Sequence, residues 1–183
     1  MSVHPTAARR RLLLRGLAAA PLGIGLGGAS AAARAAAPRA LSFSHTHTGE
    51  RLHAVYFADG AYRPEALAEV QHLLRDFRTG EAHAIDVALL DTLHALCGAC
   101  GGRAFEIISG YRSPGTNAML RRTGGGGVAR RSLHMDGRAI DVRLVGVDTA
   151  RLRDAAKVLG RGGVGYYRES DFVHLDTGRP RSW

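Results

Sequence analysis

Two short runs, AIDVRL at Ala139–Leu144 and FVHLD at Phe172–Asp176, restrict what this chain can become more than any other feature of it. Successive side chains of a strand point to opposite faces of a sheet. Ile140, Val142 and Leu144 therefore share one face, with Ala139, Asp141 and Arg143 on the other, and Val173 and Leu175 oppose Phe172, His174 and Asp176 in the same way. A fold that buries the aliphatic face of each run must hold Asp141 and His174 on the opposite face. The chain is thereby committed to a sheet with one packed face and one face that carries a carboxylate and an imidazole.

The remaining segments supply what such a sheet needs. Residues 41–57 alternate on either side of Thr48-Gly49-Glu50, which predicts a β-hairpin with strands over 41–47 and 52–57. Pro64 opens a segment in which Leu67, Val70, Leu74 and Phe77 recur at helical spacing, with Gly80 as the stop. Val87, Leu90, Leu93 and Leu96 predict a second helix over 86–97, and residues 117–122 and Thr149–Leu159 two more. Phe105–Ser109 (FEIIS) and residues 164–167 read as further strands, residues 110–114 as a turn, and the four glycines at 124–127 as a mobile loop. With 45% apolar and 22% charged residues and no repeat or linker, the expectation is one α+β domain, its helices packed on an antiparallel sheet.

The net charge of +9 would suggest a nucleic-acid or membrane-surface binder if it were spread over the fold. It is not. Residues 1–40 carry six arginines and no acid, so the part from residue 41 holds only +3. Arg10-Arg11-Leu12-Leu13-Leu14-Arg15 precedes an uncharged Gly/Ala-rich run and a set of small residues, the order of a twin-arginine export signal. The expected organisation is a signal and cleavage region over 1–40, a domain over 41–183, and a setting in the periplasm or cell envelope. Pro21 and the many glycines speak against a retained anchor helix, so no stable membrane anchor is expected after cleavage, and no nucleic-acid partner. Cys97 and Cys100 are too few for a disulfide framework; a local bridge and two free thiols are both compatible with their spacing.

Two histidines and an aspartate on strands that could be neighbours would suit Zn²⁺ with a fourth position left for water. The surrounding residues sharpen this. Ser132-x-His134-x-x-Gly137-x-Ala139-x-Asp141 resembles the S-x-H-x-x-G-x-A-x-D segment of the D-Ala-D-Ala metallopeptidase (Hedgehog/D,D-peptidase) superfamily, and Ser109-Gly110-Tyr111-Arg112-Ser113 resembles its S-G-Y-R-S segment. With FVHLDTG these segments run through most of residues 41–183. The resemblance implies the zinc fold of that superfamily, one Zn²⁺ per chain on His134, Asp141 and His174, and hydrolysis of amide bonds in peptidoglycan stem peptides or cross-links. It further implies that Arg112, with Tyr111, Ser113 and Ser132 around it, holds an anionic peptide. A carboxypeptidase of the same fold and a zinc-containing wall-binding module without activity are the alternatives.

One position departs from the pattern. Many relatives carry a Glu three residues before the last His as general base, and this chain has Asp171 there. Asp176, on the face of His174, is the other candidate base or an orienter of that imidazole, and Glu169 a third. His45 and His47 share a strand face, expected to be solvated. The 124–127 loop is a candidate lid.

Overall fold

The computed structural model describes residues 37–123 and 128–183; residues 1–36 of the expected signal and cleavage region and the glycines at 124–127 lie outside them. The described chain forms β1 (Arg39–His45), β2 (Arg51–Ala58), β3 (Ala61–Tyr62), α1 (Pro64–Leu73), α2 (Val87–Cys100), β4 (Phe105–Ser109) and α3 (Pro114–Thr123). There follow a 3-10 turn (Leu133–Asp136), β5 (Ala139–Leu144), α4 (Thr149–Leu159), β6 (Gly163–Tyr167), β7 (Phe172–Asp176) and β8 (Arg181–Ser182). One sheet of order β3-β2-β1-β4-β5-β7-β6-β8 takes up every strand. The α+β class stands, but the sheet is mixed: β1 runs parallel to β4 and β6 parallel to β8, while the other pairs are antiparallel. The parallel β1–β4 pair follows from α1 and α2, which carry the chain back across the packed face before β4 begins.

That face is closed by helices. Leu89, Leu90, Leu93 and Leu96 of α2 and Leu152 of α4 are fully buried against Phe105, Ile107, Ile140, Val142, Leu144 and Val173. Each such aliphatic side chain contributes about 1.5–3 kcal/mol of transfer free energy, enough to fix which face of β5 and β7 is inward. Asp86 caps α2 by accepting from the Ala88 amide at 3.0 Å, and Asp148 caps α4 in the same way at 2.8 Å. No helix among the described residues is long and apolar enough to cross a membrane.

The first helix is shorter than its periodicity predicts. It ends at Leu73 because Asp76 turns the chain: its carboxylate accepts from the Arg78 amide at 3.0 Å and from the distant Ser113 amide at 2.9 Å. Phe77 is thereby released from the helical face and stacks on His47 with ring centroids 4.1 Å apart. Under this cover His45 is buried while His47 stays exposed, so the expected solvated face holds for His47 and not for His45. Cys97 and Cys100 are both free thiols near the end of α2.

Candidate metal centre

β5 and β7 pair antiparallel in a register that sets Asp141 directly opposite His174. His134 reaches the same point from the 3-10 turn that precedes β5. That turn is closed by Gly137 at φ 63°, where an added Cβ would lie 2.0 Å from the Ala84 carbonyl oxygen. The motif glycine is therefore a steric requirement of the turn that carries His134.

Three donor atoms converge. His134 Nε2 lies 3.2 Å from His174 Nδ1 and 3.3 Å from Asp141 Oδ1, and His174 Nδ1 lies 2.9 Å from that same oxygen. Ligands held about 2.0–2.1 Å from a tetrahedral zinc stand about 3.3 Å apart, so this spacing fits the ion. The second nitrogen of each ring decides where the protons are. His134 Nδ1 faces the Gly110 carbonyl at 2.7 Å and must donate to it. His174 Nε2 donates to Asp176 Oδ2 at 3.0 Å, a carboxylate that also accepts from the Gly163 and Gly178 amides and from both Nη atoms of Arg181. When both rings are neutral, Nε2 of His134 and Nδ1 of His174 are bare and face a carboxylate oxygen. Three lone pairs then meet in a buried pocket, a group that can hold a cation.

Without the ion the site is electrostatically lopsided. Burial pushes the Asp141 carboxyl up, but His134 and His174 outweigh it and hold the group far below the usual carboxylate range. Burial likewise opposes Asp176, which His174, Arg181 and the two backbone amides hold equally low. Burial lowers His174, and hydrogen bonds and charge from Asp141 and Asp176 override it, leaving the imidazole above its ordinary value. His45 moves the other way, lowered first by burial and then by His47.

The signs give a pH profile for the metal-free protein. The contributions of Asp141 and Asp176 are complete above their unfolded pKa of about 3.9 and lost as pH falls through the folded values; His45, depressed, also weakens the fold as pH drops below about 6.5. His174, raised, stabilises fully below about 6.5 and is lost as pH rises through its folded value. The thermal midpoint of chelated protein should therefore peak near pH 6.5, and added zinc should erase the alkaline decline by replacing the proton on His174. A midpoint that stays level from neutrality to pH 9 without metal would show that His174 holds no such proton.

A cavity of about 380 Å³ opens over the donors, lined among others by Arg112, Ser132, Tyr167, Phe172, Arg181 and Trp183. Arg112 is mostly buried, its Nη2 3.6 Å from Asp141 Oδ2 and its Nε without a partner. Ser132 lines the cavity too, yet it supports the His134 turn through its carbonyl, which accepts from the Met135 amide at 3.0 Å, and not through its hydroxyl.

Three of the residues that the motifs point to fall elsewhere, each for a local reason. Tyr111 turns inward and stacks on His83 at 4.9 Å. Ser113 caps α3, its hydroxyl accepting from the Thr116 amide at 3.2 Å. Asp171 sits in a left-handed turn (φ 50°) before β7, where Thr149 Oγ1 donates to it at 2.8 Å and Arg143 Nε lies 3.3 Å from its other oxygen. It lines a separate hollow beside the start of α4, and Glu169 is exposed and outside the donor cavity. Tyr167, Arg181 and Trp183 line the cavity although no motif points to them. The signal for them is the glycine spacing of Gly163-Val164-Gly165: a Cβ on Gly165 would lie 2.7 Å from the Trp183 ring.

An α+β sheet bearing a His/Asp/His cation site at the floor of an open cavity defines a metallopeptidase of the D-Ala-D-Ala superfamily. A family model described as peptidoglycan L,D-endopeptidase MepK matches residues 33–183, and the chain belongs to that family. It is 41% identical over 178 residues to the peptidoglycan L,D-endopeptidase MepK of Escherichia coli (strain K12), covering 97% of each chain. To the probable peptidoglycan L,D-endopeptidase MepK of Haemophilus influenzae it is 41% identical over 138 residues, 74% of each chain. The crystal structure of Serratia marcescens L-Ala D-Glu endopeptidase ChiX overlaps 51% of this chain and 80% of that one, at 19% identity and a TM-score of 0.39.

Proposed function

We propose that this protein is an exported, zinc-dependent endopeptidase that hydrolyses amide bonds in peptidoglycan cross-links, acting in the periplasm after its export signal has been removed. The observation that carries the reading is the meeting of three possible metal-donor atoms beside an arginine with an unpartnered Nε in one cavity. The names of the relatives support the substrate, and the arginine-rich opening segment supports the export route.

A zinc ion bound by His134, Asp141 and His174 supplies Lewis acidity for a water and for the scissile carbonyl. The chain's own residues do the rest. Gly110 and Asp176 fix the two imidazoles in the tautomers that leave the facing nitrogens bare. Arg112, held in low dielectric with an unpartnered Nε, offers a planar set of donors to a substrate carboxylate. Phe172 and Trp183 line the cavity with apolar surface that limits water around the reacting bond. Asp176 is saturated by donors and its side chain is wholly buried, so its role is to orient His174 and not to accept a proton from substrate water.

The test is incubation of purified protein with cross-linked muropeptides, with and without a chelator. Two uncross-linked halves, seen by mass spectrometry only when metal is present, are the expected products. Release of a single terminal amino acid would replace the endopeptidase by a carboxypeptidase, and no chelator-sensitive product from any cross-linked substrate would leave a wall-binding module.

A further inference from the structure

The segment after β7 does more than finish the sheet. β8 pairs with β6, Gly163 opposite Arg181 and Val164 opposite Ser182, and the Trp183 carbonyl accepts from the Tyr166 amide at 3.1 Å. This docking aims two side chains at one imidazole. Arg181 places both Nη atoms on Asp176, at 3.0 and 2.7 Å, and Asp176 in turn holds His174 Nε2. Trp183 lies over Gly165, directly opposite His174 on β6, with its ring centroid 5.3 Å from the imidazole. Arg181 also lies over the Trp183 ring at 4.9 Å, so the two side chains brace each other.

We infer that Arg181 and Trp183 are positioning residues for the metal: together they lock His174 in the tautomer and ring orientation that present Nδ1 to the ion. The inference rests on the cation-site reading above. Among the described residues no hydrogen bond or ion pair joins Arg181 or Trp183 to His134 or Asp141, so their influence on the donors passes through Asp176 and His174. In a bidentate clamp Lys is no equivalent of Arg, because an ammonium cannot engage both carboxylate oxygens in parallel. Without the clamp, the Gly163 and Gly178 amides still hold Asp176 Oδ1, but Oδ2 loses the Arg181 donor that fixes it beside His174, and His174 can flip its proton to Nδ1, which removes one donor from the site.

The measurement is zinc affinity by competition with a chromophoric chelator, using zinc alone and well below the unfolding temperature. The parent protein is measured first. Arg181→Ala is expected to bind zinc about 10–100-fold more weakly, Arg181→Lys to recover only part of the loss, and Trp183→Phe to recover most of the loss of Trp183→Ala. Circular dichroism of each metal-free variant shows whether it remains folded. If Arg181→Ala does not fold, Trp183→Ala against Trp183→Phe decides. Zinc affinity within twofold of the parent in a folded Arg181→Ala or Trp183→Ala protein would overturn the inference and leave the cation site standing. A parent protein that binds no zinc would overturn both.

Discussion

Removal of the divalent ion by a chelator should abolish cleavage of cross-linked muropeptides, and zinc should restore it. The same loss is expected from His134→Ala, Asp141→Ala or His174→Ala, with turnover falling at least about 10³-fold, since Lewis-acid stabilisation of the transition state is worth several kcal/mol. The three replacements should differ in stability more than in activity. Asp141→Ala removes the carboxylate that both imidazoles face at 3.3 and 2.9 Å, and with it the main reason for the rings to converge. His134→Ala leaves the Gly110 carbonyl without its donor and opens the floor of the cavity. Metal content measured on each purified variant separates loss of the ion from loss of chemistry. A variant of any of the three that retains both zinc and full turnover would remove that residue from the ligand set.

Strand parity places Asp141, His174 and Asp176 on the face opposite the core, because period-2 alternation is local and each run carries its own burial signal. The pairing of β5 with β7 is not legible in that way. It depends on the helix α4 between them and on a register that only packed coordinates give. Tyr111 and Ser113 illustrate a different limit: a motif shows that a segment is needed, but not which of its side chains faces the site. The S-G-Y-R-S turn is needed in part for its backbone, since the Gly110 carbonyl orients His134 and the Arg112 amide donates to the His134 carbonyl at 3.1 Å. Within it only Arg112 projects into the cavity. Phe77 has helical spacing yet leaves the helix, because a buried carboxylate at Asp76 offers the chain a stronger set of hydrogen bonds than another turn of α1 would do.

Asp171 is a candidate base by its place in the motif and Asp176 by its strand face, and their surroundings predict opposite behaviour. Replacing Asp176 by Ala strips the acceptor from His174 Nε2, from Arg181 and from two backbone amides at once. Breaking a buried, charged network from one side costs about 3–5 kcal/mol, here somewhat less because Arg181 can swing into solvent. Zinc binding should fall with stability, and turnover should be lost. Asp176→Asn keeps the shape, but its amide must turn a donor toward either Arg181 or His174, so it should retain the fold and still lose much of the metal affinity. Asp171 stands in an exposed left-handed turn and touches Thr149 and Arg143, neither of which lines the donor cavity. Asp171→Asn suits that backbone conformation and should leave zinc content and turnover close to those of the parent. Loss of turnover in Asp171→Asn with zinc retained would reinstate Asp171 as the base, and would require the turn before β7 to swing its side chain from the start of α4 into the cavity during reaction.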